Sequence, residues 1–203
     1  MEENKSIVSA DDALARLMEG NARFLRAESL YANAGRGVSV DLAQGQWPFA
    51  TILGCSDSRV PPEILFDAGF GDLFVIRVAG NVIAREVAGS LQYACTHLNT
   101  RLVMVLGHEG CGAVRAALAR KFEGTQEQSR IALLLEDLLP GLVDIDPEQP
   151  LAAQLKYGVE ANVRWSMRQI LESPEGRARI TGGPIKLVGA VYEIATGRVR
   201  LLA

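Results

Sequence analysis

Apolar residues along the chain fall into short runs separated by segments with helical periodicity. Three runs, at 49–54, 73–78 and 102–106, are typical of buried β-strands because they are short and rich in branched side chains. The segments 84–98 and 112–120 follow the second and third runs and repeat apolar residues at helical spacing. Strands that alternate with helices predict an α/β fold with a central, largely parallel β-sheet flanked by helices.

The first 45 residues are predicted to form an N-terminal helical arm and a connector. Apolar residues recur at helical spacing through the first thirty positions. Gly20-Asn21 is expected to break or kink this helix, since glycine is a poor helix former. Residues 32–45 contain two glycines and scattered polar groups, and are expected to be irregular.

The C-terminal pattern predicts a hairpin. Residues 185–194 and 198–202 have strand character and are joined by a tight turn at Thr196-Gly197, so the last strand is expected to lie antiparallel at the sheet edge. A chain of 203 residues suits one domain, and we expect 1–203 to be a single domain. Further helices are predicted to open at Pro61-Pro62 and to cover 130–142 and 151–172.

Charge, hydrophobicity and cysteine content limit which kinds of partner and which cellular compartment are expected. The net charge of −3 gives no electrostatic reason to expect binding to nucleic acid or to an anionic membrane. No apolar stretch approaches the eighteen residues that a membrane span needs, and the start, Met-Glu-Glu-Asn-Lys, lacks the layout of a secretory signal. Three cysteines is an odd number, which favours reduced thiols and a cytoplasmic location.

Two motifs directly follow predicted strands and carry metal-ligand chemistry. Cys55-Ser-Asp57-Ser-Arg59 follows the first strand, and Gly-His108-Glu-Gly-Cys111-Gly112 follows the third. Because ligands gather beyond the carboxyl ends of parallel strands, both motifs lie where a site is expected. Two thiolates and one imidazole suit Zn²⁺, and three protein ligands leave the fourth position open, as in catalytic zinc sites.

The carboxylate of Asp57 has two roles open to it. If the backbone stays extended from Cys55 to Arg59, alternation places Cys55, Asp57 and Arg59 on one side, where the guanidinium can hold the carboxylate. Asp57 then either binds the zinc and closes its fourth position, or pairs with Arg59 and accepts a hydrogen bond from zinc-bound water. A surface ion pair without function is the plainer interpretation, and the neighbouring ligand residues argue against it.

The third cysteine, the second histidine and a glycine beside Cys111 are interpreted from their local surroundings. Cys95 lies in an apolar predicted helix and is interpreted as a buried, inert thiol. His97 is interpreted as a residue near a helix C-terminus that favours the helix dipole. Gly112, beside Cys111, lets the backbone come close to a metal and exposes N–H groups to a bound anion.

Together these blocks resemble the β-class carbonic anhydrases. The resemblance is carried by Cys55-Ser-Asp57-Ser-Arg59-Val-Pro-Pro-Glu, by Gly-Asp-Leu-Phe74-Val-Ile-Arg77-Val-Ala-Gly-Asn81 and by Gly-His108-Glu-Gly-Cys111-Gly-Ala-Val, and is densest from about Trp47 to Leu118. It implies that Cys55, His108 and Cys111 bind Zn²⁺ and that Asp57 and Arg59 form the catalytic pair.

The resemblance also implies a substrate pocket and a partner subunit. Gln46, Phe74 and Tyr93 match pocket residues that in this family reach the zinc from the neighbouring subunit, so it implies a homodimer with shared active sites, and higher oligomers stay open. Two positions depart from relatives. Ile52 stands where a bicarbonate-regulated bacterial subgroup has Trp, which argues for an open zinc site, and Ala79 stands where some members have Val, in the CO₂ pocket.

The activity implied is the reversible hydration of CO₂ to bicarbonate and a proton. By this resemblance, zinc held by Cys55, His108 and Cys111 would supply hydroxide for attack on CO₂ near Phe74 and Tyr93, and Asp57, fixed by Arg59, would orient it. Hydrolysis of COS or CS₂ on the same scaffold is an alternative that the motifs do not separate. A non-catalytic, zinc-stabilised interaction domain would need a broken ligand set or a broken Asp–Arg pair, and the sequence has neither.

Overall fold

Five strands form the sheet in the part of the chain that the structure describes. This computed structural model describes residues 7–30, 40–181 and 183–203. The strands are β1 (Ala50–Gly54), β2 (Leu73–Arg77), β3 (Leu102–His108), β4 (Lys186–Glu193) and β5 (Arg198–Leu201). Their order is β2-β1-β3-β4-β5, and only the β4–β5 pair is antiparallel among them. The predicted α/β fold with an antiparallel C-terminal edge strand is confirmed.

Helices flank this sheet. The α-helices are α1 (Ala10–Leu25), α2 (Pro62–Leu65), α3 (Arg85–His97), α4 (Gly112–Glu123), α5 (Ser129–Leu138), α6 (Leu151–Glu172) and α7 (Pro174–Gly176). Short 3₁₀ segments cover Val40–Ala43, Ala79–Asn81 and Leu139–Leu142, and a π-helical turn covers Arg177–Thr181. None of the described helices is long and apolar enough to cross a membrane.

The central strands form the core. Every residue of β1 and of β3 is buried, as expected for parallel strands that helices cover on both faces. Helix α6 packs against β3 and β4, and α1 packs against β1, β3 and β5. The loops that follow β1 and β3 therefore begin at the ends of two fully buried strands.

The predicted break at Gly20-Asn21 is wrong, because α1 runs without interruption from Ala10 to Leu25. Gly20 is needed for close packing: a Cβ there would lie 1.8 Å from the carbonyl oxygen of Phe66. The buried Asn21 amide donates to the carbonyls of Leu65 and Gly197, both at 3.0 Å. Tertiary contacts thus override the low helix propensity of this pair.

The predicted connector is only partly described. Residues 32–39 lie outside the described residues, and Val40–Ala43 forms a 3₁₀ turn. The other predicted elements appear close to their expected positions, with β3 continuing to His108 and the last hairpin pairing Glu193 with Arg198.

We expect Asn21→Ala to lower the free energy of unfolding by about 2–4 kcal/mol, because it removes the donor to two carbonyls and the acceptor of the Val199 N–H at 2.9 Å. Urea denaturation measures the difference. Glu19→Ala, on the exposed side of the same helix, is the matched control and should change the value by less than about 0.5 kcal/mol. Equal losses in the two variants would contradict a docking role for Asn21.

Candidate metal centre

The register between β1 and β3 brings the two motifs together. Gly54 pairs with Leu106, so Cys55 begins the loop after β1 beside the last residues of β3, which ends at His108. Cys111 is the N-cap residue of α4, in the turn that follows β3. The ligand atoms of Cys55, His108 and Cys111 all lie within 4.8 Å of one another, and the three residues are buried.

The imidazole of His108 is prepared to bind a metal. Its Nδ1 lies 2.9 Å from the carbonyl oxygen of Glu109, and because a carbonyl can only accept, Nδ1 carries the proton. Nε2 therefore has a free lone pair. It is buried and has no hydrogen-bond partner among the described residues. A buried nitrogen left unpaired beside two thiols is costly unless a ligand satisfies it, so this donor set fits Zn²⁺.

The two thiols lie close enough to shift each other's acidity. Interaction with Cys111 is the largest influence that lowers the pKa of Cys55, against the effect of burial, and the Gly80 N–H lowers it further. Interaction with Cys55 and burial raise the pKa of Cys111. A metal that binds both thiolates displaces any proton that they still carry.

Asp57 and Arg59 form a bidentate pair. Nε of Arg59 donates to Oδ1 of Asp57 at 2.9 Å, and Nη2 donates to Oδ2 at 2.7 Å. Hydrogen bonding to this guanidinium holds the pKa of Asp57 well below its usual range. Oδ2 of Asp57 also lies 3.9 Å from Nε2 of His108, so the ionised carboxylate is close to the ligand cluster.

The backbone route to this pair differs from the prediction. Cys55 to Arg59 do not continue as an extended strand: β1 ends at Gly54, and a turn begins at Ser58. The Arg59 N–H donates to Oδ1 of Asp57 at 3.0 Å, which closes a local side-chain turn. The pairing of Asp57 with Arg59 comes from this turn, not from strand alternation.

Arg77 is a site residue for which the sequence analysis had no role. It ends β2 opposite Gly54 in the register. Its Nε donates to the carbonyl of Cys55 at 2.9 Å, and its Nη2 donates to the carbonyl of Asp57 at 2.6 Å. Arg77 thus fixes the loop that carries both the candidate ligand residue Cys55 and the Asp57 carboxylate. The only sequence signal was an arginine at the end of a predicted strand.

The predicted pocket residues lie in two places. Gln46 and Tyr93 line an open cavity of about 510 Å³, and the Tyr93 ring lies 6.1 Å from that of Phe74 between centroids. The described lining of this cavity includes none of the three ligand residues. Ala79 and Gly112, in contrast, each adjoin a residue at the cluster: Ala79 precedes Gly80, whose N–H points to Cys55, and Gly112 follows Cys111.

Three other residues occupy ordinary structural positions. Cys95 is half-buried in α3, where burial raises the pKa of its thiol. His97 is the last residue of α3, and its ring lies tilted against that of Tyr93, with 5.0 Å between centroids. Ile52 is fully buried in β1.

Comparison with known proteins gives one consistent answer. Residues 50–199 match the family model described as Carbonic anhydrase. A carbonic anhydrase of Mycolicibacterium smegmatis is 37% identical over 186 residues, covering 91% of this chain and 89% of the relative. The solved structure of the beta-carbonic anhydrase CcaA has a TM-score of 0.74 at 28% identity, covering 94% of this chain and 95% of that one. The beta-carbonic anhydrase of Coccomyxa, solved in complex with acetazolamide, has a TM-score of 0.72 at 28% identity, covering 93% and 86%. This chain belongs to the β-carbonic anhydrase family.

Proposed function

We propose that Cys55, His108 and Cys111 hold the zinc of this carbonic anhydrase, and that Asp57 and Arg59 are its catalytic pair. The observation that carries the proposal is the convergence of three buried ligand atoms within 4.8 Å, one of them the unpaired Nε2 of His108. The enzyme catalyses the reversible hydration of CO₂ to bicarbonate, and it uses zinc. No feature of the described residues favours COS or CS₂ over CO₂.

The residues divide the work of the reaction between them. A Zn²⁺ at this position supplies Lewis acidity that makes a coordinated water easier to deprotonate. The ionised Asp57 accepts a hydrogen bond from the attacking oxygen and so orients it toward CO₂. Arg59 holds both carboxylate oxygens, which keeps Asp57 charged and stops it from turning toward the metal. Ala79 and Gly112 border the space left for the substrate.

We further propose that the enzyme is a homodimer whose subunits share active sites. Strand β2 is an edge strand with half-buried Phe74, and Tyr93 beside it is 48% exposed. Apolar side chains along an open strand edge favour coverage by another chain. Gln46, Phe74 and Tyr93 would then complete the CO₂ pocket of the partner subunit.

Two broader proposals concern the domain and its location. We propose that residues 1–203 form one domain, which a single cooperative unfolding transition would support. A cytoplasmic location is supported by the three free thiols of Cys55, Cys95 and Cys111. Fractionation of the producing cells with an activity assay tests the location.

Purified protein should contain about one Zn²⁺ per chain, since each chain supplies one three-residue ligand set. Cys55→Ser and Cys111→Ser should lose zinc and CO₂ hydration together, because each removes a thiolate ligand. Cys95→Ser is the matched control and should keep both. Metal analysis and stopped-flow CO₂ hydration measure the two properties on the same samples. Zinc lost from Cys95→Ser but kept by His108→Ala would show that the ligand set is wrong.

Asp57→Asn and Arg59→Ala should retain zinc but lose about 10²–10³-fold in kcat, roughly the effect of removing one preorganised polar partner at an active site. In Asp57→Asn the negative charge is lost, and in Arg59→Ala the carboxylate is no longer held. Zinc analysis and stopped-flow kinetics test both. Activity near that of the unsubstituted enzyme in either variant would contradict the proposed pair.

The pair also sets a pH dependence. Because Arg59 lowers the pKa of Asp57 in the folded state, the ion pair stabilises the fold above the ordinary carboxyl pKa of about 3.9. This contribution begins to decline below about pH 5 and is lost as the pH falls through the lowered value, so between about pH 5.5 and 8 it should be constant. Unfolding of the zinc-free protein, compared with zinc-free Arg59→Ala across this range, measures it. A difference between the two that changes sharply near neutral pH would contradict the assignment.

The shared site predicts complementation between inactive chains. Tyr93→Ala and Gln46→Ala should each reduce activity, and Cys55→Ser should abolish it. In a mixed dimer, the intact zinc ligands of a Tyr93→Ala chain would meet the intact Tyr93 of a Cys55→Ser chain, so activity should recover after subunit exchange. Native mass spectrometry verifies the exchange. Proven exchange without recovery would place these residues in the pocket of their own subunit.

A further inference from the structure

The turn Ala79–Asn81 touches the metal centre through its backbone. The Gly80 N–H donates to Sγ of Cys55 at 3.3 Å. Gly80 and Asn81 both have left-handed φ values, of 67° and 45°, which for asparagine is an uncommon conformation. A left-handed pair of residues keeps its direction only when its surroundings fix it.

Helix α6 supplies the contacts that fix this turn. Nδ2 of Asn162 donates to the carbonyl of Gly80 at 2.8 Å. One helical turn later, Oγ of Ser166 donates to the carbonyl of Asn81 at 3.0 Å, and Nδ2 of Asn81 lies 3.3 Å from that hydroxyl. Asn162 and Ser166 are 1% and 0% exposed, so water does not compete for these bonds.

Packing closes the other side of the turn. A Cβ at Gly80 would lie 3.1 Å from Cβ of Ala113 and 3.2 Å from Cδ2 of Leu138. The turn is therefore held between α4 and α5 on one side and the Asn162 amide on another. Its N–H keeps one direction, toward Cys55.

The side-chain oxygen of Asn162, unlike its nitrogen, forms no such hydrogen bond among the described residues. Oδ1 of Asn162 is buried and has no hydrogen-bond partner among the described residues. A buried acceptor without a partner is unfavourable. The side-chain oxygen therefore does not explain why asparagine occupies this position. What the residue contributes is the donor to Gly80.

We propose that Asn162 is a positioning residue for the zinc ligand Cys55, acting through the Gly80 turn. The inference rests on the proposed assignment of Cys55 as a ligand. The Asn162 side chain holds the Gly80 carbonyl and so fixes the orientation of Gly80. The Gly80 N–H is then directed at the Cys55 thiolate and withdraws charge from it. Hydrogen bonds to ligand atoms orient them and tune the charge they donate to a metal.

The test uses Asn162→Ala and Asn162→Leu, which both remove the donor, the second with side-chain volume retained. Gln154→Ala is the matched control: Gln154 is a buried amide on the same helix, and it donates to the carbonyls of Pro147 and Gln149 at 2.9 and 2.7 Å, away from the turn. Competition with a chromophoric chelator should show zinc binding about 10–100-fold weaker in the Asn162 variants only.

Two spectroscopic readouts report on the thiolate and not on the rate. In the Co²⁺-substituted protein, the thiolate-to-metal charge-transfer band should shift in both Asn162 variants and stay unchanged in Gln154→Ala. In the ¹¹³Cd-substituted protein, the Gly80 amide proton should couple to cadmium through the hydrogen bond to Cys55. This coupling should weaken or vanish when Asn162 is replaced.

Each result decides one of the two claims. A thiolate band and a Gly80 coupling in the unsubstituted protein, unchanged in both Asn162 variants, would overturn the positioning role and leave the ligand assignment intact. No thiolate band in the unsubstituted protein would overturn the ligand assignment itself. If both Asn162 variants failed to fold while Gln154→Ala folded, Asn162 would serve the fold and not the thiolate, and the proposal would be rejected.

Discussion

The parallel register of β1 and β3 is the constraint on which the site depends. Gly54 lies opposite Leu106, and the chain leaves β1 one residue later, at Cys55, while β3 continues to His108. Since both strands are buried along their whole length, neither can slide without exposing its apolar side chains. The distance between the Cys55 thiol and the His108 imidazole is thus set by hydrophobic burial and by the backbone hydrogen bonds of the sheet. It does not depend on polar side chains.

Polar side chains from distant elements then hold the loops that the sheet has brought together. Arg77 binds the carbonyls of the loop after β1, and Asn162 binds the turn after β2. Both donate to backbone carbonyls, so they fix the path of the chain and leave the ligand atoms free. Arg59 differs, because it binds a carboxylate and not a backbone carbonyl. Arg59 and Arg77 are both exposed, whereas Asn162 and the three candidate ligand residues are buried.

The sequence predicted the features that depend on local pattern. Strand runs, helical periodicity and the spacing of Cys55, His108 and Cys111 are all written within short windows, and the α/β fold follows from them. Contacts between residues that are far apart in the sequence could not be predicted from such local patterns. Asn21 was interpreted as part of a helix break because its partner, Gly197, is far along the chain, and Asn162 had no signal because Gly80 is equally remote.

The local geometry after β1 was also mispredicted, although the pair it forms was expected. Strand alternation and a side-chain turn both place Asp57 beside Arg59, so the residue types alone did not distinguish the two. Gln46, Phe74 and Tyr93 are a different case. Their expected role depends on a second chain, and the sequence could suggest it only through resemblance to a family.

The attachment of the proposed ligand residues to the central strands has a consequence for the lifetime of the protein. Cys55 and His108 stand at the ends of the two fully buried strands, with no flexible spacer between core and ligand. An ion that binds the folded chain and not the unfolded one adds to the stability of the whole sheet, by about 2.7 kcal/mol at a free concentration one hundred times its Kd. Zinc supply would then govern how many molecules survive cellular proteolysis, and not only how many are active.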